Sequence, residues 1–369
     1  MTAADLTGGV DAITGVWRFW ESYQPRLESD VYECTEPSSI VAAVDGFCFA
    51  ELGSRIEHYA FYSVGVGSTH GLYLDDGRRV VVKVHRATAD VSHLTAVHKV
   101  QGHLAAAGFP APQPLLGPTP LANGIAVAEE LLDRGAWGDA HEPEIRKLVA
   151  GGLAGQIELS RDLVGLPGLG SSTAAMRQRW QTPHDRRFDF PATSDGADWI
   201  GRLAAEALRR LDEEGAGEPS IGHNDWRVEQ LLFADGELSA AWDWDSLGSG
   251  LEPAFAGSSA HCFTADYRVE DLDVAPTLEE ALAFLDDYEA ARGAHFSTDE
   301  RRTAIAALVA TMAYSARCEH TDVLTEWGST AARTPPRCVP ADTYRGFLAL
   351  HGSKLLGVQV SGVPAVYEA

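Results

Sequence analysis

The stretch from Tyr59 to Arg86, YAFYSVGVGSTHGLYLDDGRRVVVKVHR, leaves a folding chain few choices. Its β-branched and aromatic residues are cut by two turn signals, the glycines Gly65 and Gly67 and the pair Asp76-Gly77. Asp-Gly tolerates the positive backbone angles of a tight hairpin, so the segment predicts strand, turn, strand, turn, strand. Val80, Val81, Val82 and Val84 make the last strand densely β-branched, and Lys83 sits inside it.

The period then changes. In SHLTAVHKVQGHLAAAGFPAPQP, Leu94, Val97, His98, Gln101, Leu104 and Ala105 recur at helical spacing, and Gly108 and Pro110 end the helix. GIAVAEELLDRG reads as another strand running out into a loop. Beyond it the pattern is helical, in EPEIRKLVAGGLAGQIEL, DGADWIGRLAAEALRRLDEEG, TLEEALAFLDDYEAARG and STDERRTAIAALVATMAYSARCEH. The last two open with capping boxes, Thr277 with Glu280 and Ser297 with Glu300. The Gly-, Ser- and Arg-rich region between Leu159 and Pro191 predicts a long loop or short-helix insertion. Near the N-terminus, Trp17, Phe19, Trp20 and Tyr23 fit one packing face of a helix. The expected class is α+β with two lobes. An extension over 1–54 packs on a β-rich N-lobe over 55–132, and 133–369 forms a larger, mainly helical C-lobe.

The chemistry concentrates in IGHNDWRVEQLLFADGELSAAWDWD, from Ile221 to Asp245. Leu231 to Phe233 and Leu238 to Trp242 pair across a turn at Ala234 to Glu237. That hairpin brings Asp225 and Gln230 at its entry close to Asp243 at its exit. Two acids and an amide in one place suit phosphoryl transfer. One carboxylate orients the attacking hydroxyl and takes its proton. A second carboxylate and an amide oxygen hold Mg2+ against the phosphates. Lys83 can supply the ammonium group for the phosphates, and backbone N–H groups near Gly65, Gly67, Ser68 and Thr69 can cover them.

These elements in this order resemble the aminoglycoside phosphotransferase family, within the protein-kinase-like fold. The resemblance rests on His223-Asn224-Asp225, Gln230, Asp243-Trp244-Asp245, the strand VVVKVHR and the segment LAAAGFPAPQP, and it spans roughly 55 to 350. It implies Asp225 as catalytic base, supported by His223. It implies Asp243 and Gln230 as the Mg2+ ligands, Gln230 standing where an Asn is usual. It implies Lys83 on the phosphates of ATP or GTP, with Gly65, Gly67, Ser68 and Thr69 in the nucleotide-positioning loop. The backbone from Glu130 to Leu132 would form the adenine hinge. The resemblance also calls for an acid on the helix after the lysine strand; Val97, His98 and Gln101 stand near that place instead. The expected activity is a small-molecule kinase, the alternative a pseudokinase-like protein that binds nucleotide or a small ligand without turnover.

Charge and composition narrow the partners. The net charge of −24 argues against nucleic acid or an anionic membrane surface and suits a cationic acceptor such as an aminoglycoside or amino sugar. Acids such as Glu252, Asp266 and Glu319 could hold such a cation at the acceptor site. No apolar run is long enough for a membrane span, and the N-terminus carries neither a basic nor an apolar leader segment, so a cytoplasmic protein is expected. The five cysteines lack metal or disulfide spacing and read as reduced thiols.

Overall fold

The turn signals act where the sequence puts them. In the computed structural model, β1 (Ile56–Val64), β2 (Ser68–Leu74), β3 (Arg79–Arg86), β4 (Pro114–Leu121) and β5 (Gly124–Glu130) form one sheet in the order β1-β2-β3-β5-β4. Every pairing is antiparallel. The described residues are 7–19, 26–185, 187–268, 275–325 and 338–367. Trp20 and Tyr23 lie outside them. Two compact units divide the chain, Met1–Asp133 and Arg134–Ala369.

In the first unit, alternation along the strands separates two faces. Val80, Val82, Val84, Ala126 and Ala128 point to one, with Leu72 and Leu74 of β2. Helices α1 (Thr7–Phe19), α2 (Arg26–Tyr32) and α3 (Pro37–Phe47) cover it, through Ile13, Leu27, Val31, Ile40 and Val44. The opposite face carries Thr69, Val81, Lys83, Val127 and Glu129, since Thr69 pairs with Lys83 and Lys83 with Val127. Helix α4 (Val91–Ala106) brings Gln101 to that second face, as its hydrogen bond to Glu129 shows. Asp90 caps α4, accepting from the Ser92 and His93 amides.

The second unit is mainly helical: α5 (Pro143–Leu159), α6 (Ser172–Gln181), α7 (Asp198–Glu213), α8 (Glu252–Ala260), α9 (Leu278–Arg292) and α10 (Thr298–Leu324). Both expected capping boxes form. Helix α6 is the short-helix insertion expected between Leu159 and Pro191. Strand β6 (Pro219–His223) pairs antiparallel with β9 (Leu247–Leu251), and β7 (Leu231–Ala234) with β8 (Glu237–Ala241). Asp235 and Gly236 turn the β7–β8 hairpin, both at positive φ. Helix α8 crosses α10 closely, and a Cβ at Gly257 would lie 1.9 Å from the Ala304 carbonyl oxygen. The architecture is the expected α+β one. No helix among the described residues is long and apolar enough to cross a membrane. All five cysteines are free.

Candidate active site

In the first unit, the β1–β2 connection is a tight turn closed by the Gly65 amide on the Gly67 carbonyl, 2.9 Å. A Cβ at Gly67 would stand 2.9 Å from the Val84 carbonyl oxygen, so only glycine lets the turn lie this close to β3. Ser68 and Thr69 belong to strand β2, not to the turn. The Ser68 hydroxyl faces the side covered by α1 to α3 and bonds the Tyr32 hydroxyl at 2.6 Å. The Ser68 side chain therefore lies inside the helix-covered core, and strand alternation leaves Thr69 on the face of Lys83.

Lys83 is 7% exposed on that face. Its Nζ lies 3.8 Å from Glu129 Oε1. Glu129, itself 3% exposed, accepts from Gln101 Nε2 at 2.7 Å through its other oxygen. The partner sought on the helix is therefore on β5. At the end of β5 the Glu130 amide bonds the Gln113 carbonyl and the Leu131 amide the Arg79 carbonyl. Leu132 is the first residue past these sheet bonds.

In the second unit, β6 ends at His223 and the chain turns through Asp225 before the hairpin starts. His223 is fully buried between Trp226 and Trp244, with ring centroids at 5.4 and 5.6 Å. Its Nδ1 takes the Asp225 amide at 3.2 Å, and its Nε2 lies 3.2 Å from the Trp242 carbonyl. His223 thus ties the two ends of the loop together. Asn224, in place of a glycine, is accommodated because its amide turns away to the Ser246 carbonyl at 2.8 Å.

Gln230 joins the acids. Its Nε2 lies 3.1 Å from Asp225 Oδ2 and 3.3 Å from Asp243 Oδ2. Asp243 adopts a left-handed backbone at φ +61, an unusual conformation for a side-chain-bearing residue and one often found at functional sites. Arg227, which the sequence reading passed over, stands two residues after Asp225. Its guanidinium contacts Asp225 at 2.9 Å and Glu229 at 2.7 Å. Burial pushes the Asp225 carboxyl up; Arg227, then His223, Arg179 and the Gln230 amide, outweigh it and hold the carboxyl below its ordinary value.

The two carboxylates offer the oxygen ligands a hard divalent cation takes, while Gln230 turns its amide nitrogen, not its oxygen, toward them. Mg2+ takes oxygen ligands, usually one or two carboxylates completed by phosphates and water. Two carboxylates meet at one amide here, and Gln230 Oε1 is buried without a hydrogen-bond partner. Among the described residues no group of three or more His, Cys, Asp or Glu forms a self-sufficient metal cage.

The acids read as cation-holding groups are engaged elsewhere. Glu252 bonds Tyr288 at 2.9 Å and Arg292 at 2.9 Å. Asp266 is clasped by Arg268. Glu319 accepts from the Tyr344 and Arg345 amides at 3.0 and 2.9 Å, capping a short helical turn.

Residues 65–252, just over half of the chain, match the model of the phosphotransferase enzyme family. No match was found among curated protein sequences. Solved structures share the fold. An amicoumacin kinase in complex with AMP-PNP, Ca2+ and Ami has a TM-score of 0.58 at 11% identity, over 90% of this chain and 98% of that one. An aminoglycoside phosphotransferase from Alicyclobacillus acidocaldarius has 0.50 at 13%, over 82% and 90%. A choline kinase from Cryptosporidium parvum Iowa II has 0.50 at 13%, over 78% and 91%. At such identities the likeness is one of fold, and the fold is the protein-kinase-like one. The family match itself takes in the strand lysine, the loop acids and the hairpin between them, and the chain belongs to the phosphotransferase enzyme family.

Proposed function

We propose that the protein is a small-molecule kinase that transfers the γ-phosphoryl group of ATP or GTP to a hydroxyl of its acceptor. The observation that carries this reading is the joining of Asp225 and Asp243 through Gln230, with Arg227 holding Asp225 ionised. In this reading the first unit supplies the nucleotide-handling groups. Lys83 meets the phosphates, the Gly65–Gly67 turn and Thr69 lie along them, and the Glu130–Leu132 segment meets the base. The second unit supplies the acceptor chemistry. The acceptor hydroxyl donates to Asp225, which takes its proton as the oxygen attacks the γ-phosphorus. A bond forms from that oxygen to phosphorus, the bond to the β-phosphate oxygen breaks, and the nucleoside diphosphate leaves. His223 and Arg227 keep the Asp225 carboxylate oriented and charged through this step. Asp243 and Gln230 would hold Mg2+, which when bound neutralises phosphate charge. The protein's contribution is positioning and charge, since phosphoryl transfer leaves little covalent work to it.

Acceptors of the expected kind include aminoglycosides and amino sugars. With Glu252, Asp266 and Glu319 engaged, a cationic acceptor would need other acids. The test is transfer of label from γ-labelled ATP and GTP with Mg2+ to a panel of aminoglycosides, amino sugars, sugars, amino alcohols and macrolides. A labelled product that disappears with a chelator is expected. Tight nucleotide binding with no transfer to any acceptor would favour a pseudokinase-like binding protein. That second reading draws on Gln230, whose amide nitrogen sits against both carboxylates.

A further inference from the structure

In protein kinases the strand lysine is held by a glutamate on the helix that follows. Here that helix presents an amide. Gln101, fully buried on α4, has the shape of a glutamate without its charge. The charge is on the strand before the hinge. Lys83 and Glu129 lie on adjacent strands, where Val81 faces Glu129 and Lys83 faces Val127. They are diagonal neighbours on one face of the sheet, a spacing long side chains bridge. The 3.8 Å separation is an ion-pair contact rather than a hydrogen bond. An ionised carboxylate this buried needs a cation and hydrogen bonds to stay charged. Lys83 gives the first, and Gln101 gives one of the second at 2.7 Å.

We infer that Glu129 is the residue that positions Lys83 for the nucleotide phosphates and that Gln101 positions Glu129, acid and amide being exchanged between helix and strand. The inference rests on the reading of Lys83 as the phosphate-binding lysine. It has a physical consequence. Strands β3 and β5 are hydrogen-bonded neighbours, so the sheet itself sets the lysine. Helix α4 reaches Lys83 through the uncharged amide of Gln101, which bonds Glu129. Glu129 also directly precedes Glu130, where the hinge segment begins.

The exchange can be reversed. Four full-length variants are compared with wild type: Glu129→Gln, Gln101→Glu, the double exchange Gln101→Glu with Glu129→Gln, and Lys83→Met. Nucleotide KM, kcat, direct nucleotide affinity and unfolding temperature are measured for each. Glu129→Gln is expected to raise the nucleotide KM roughly tenfold or more, the scale of one charge-assisted interaction. Gln101→Glu is also impaired, because two acids then share one lysine. The double exchange regains most of the lost affinity, because it again holds one acid, one amide and one lysine. A purely structural role for Glu129 predicts losses that follow unfolding temperature, with the double variant no better than the singles. That pattern would overturn the inference. So would wild-type kinetics for Glu129→Gln beside a crippled Lys83→Met. Where Glu129→Gln does not fold, the folded double variant still decides. Wild-type affinity and rate for Lys83→Met would be a separate result, removing the reading of Lys83 on which the inference stands.

Discussion

At the scale of single residues, the site is governed by what stands beside each acid. In the proposed reaction Asp225 must be ionised to accept a proton, so transfer is expected to fall as pH drops through its pKa. Arg227 holds that pKa below the ordinary value. Replacing Arg227 with Met removes the cation, lets burial raise the carboxyl, and moves the acidic limb of the pH–rate profile to higher pH. Arg227→Lys keeps the charge and should leave the limb near its original place. Profiles of kcat/KM for the three proteins check this, and an unmoved limb in Arg227→Met would detach Asp225 from the rate. The two acids and the amide were legible in the sequence because one short hairpin brings them together. Arg227 was less so, although its place two residues after Asp225 was a usable signal. Glu129 went unread because its partner is across the sheet. Only the register of β5 against β3, with strand parity, puts it on the face of Lys83. Strand parity likewise turns the Ser68 hydroxyl into the core, which its place beside the glycine turn did not reveal.

At the scale of elements, close packing fixes where the loop acids start from. Strand β9 runs beside β6 and leads straight into α8, which lies against α10. The crossing depends on Gly257, where an added methyl would meet the backbone of α10. Gly257→Ala is therefore expected to destabilise by about 1–3 kcal/mol, the range for overpacking a dense interior. Urea unfolding checks it, and wild-type stability would mean the helices separate at little cost. The Ser297 capping box offers a smaller effect. Ser297→Ala should cost about 1 kcal/mol, since it leaves the Glu300 amide without its acceptor. The helices and their caps were readable from periodicity and from the spacing of Thr277 to Glu280 and Ser297 to Glu300. Tight crossings such as α8 on α10 were not, because a glycine inside a helix looks the same in sequence whether its side is open or closed.

At the scale of the whole molecule, buried histidines set the response to acid. Burial lowers His70 to about 3 and His184, His261 and His320 to about 4, from an ordinary 6.5. The unfolded chain therefore binds protons that the folded one refuses. Stability from these groups is present above pH 6.5 and is lost as pH falls below it. Glu319 acts in the opposite sense. Burial pushes its carboxyl up to about 7, so its contribution weakens as pH rises from 4.5 toward 7. Burial also lowers His351 and raises Glu229 and Asp322; five lowered histidines against three raised carboxyls give a net loss on acidification, and the urea midpoint should fall between pH 7 and pH 5. A flat or rising midpoint would place the histidines in contact with water. The division into a sheet-bearing part and a helical part was the most legible feature of the sequence, because the change from period two to helical period is visible near Glu130. The engagement of Glu252, Asp266 and Glu319 was not legible, since their partners are set by tertiary contacts. The proposed kinase rests on Asp225 taking the proton of the acceptor hydroxyl. The most direct measurement is label transfer from γ-labelled nucleotide to the acceptor found in the panel, with Asp225→Asn beside wild type and nucleotide affinity measured for both. Transfer is expected to fall by about 10²–10⁴-fold, the usual worth of a positioned base, with nucleotide affinity kept. Transfer by Asp225→Asn at the wild-type rate would contradict it.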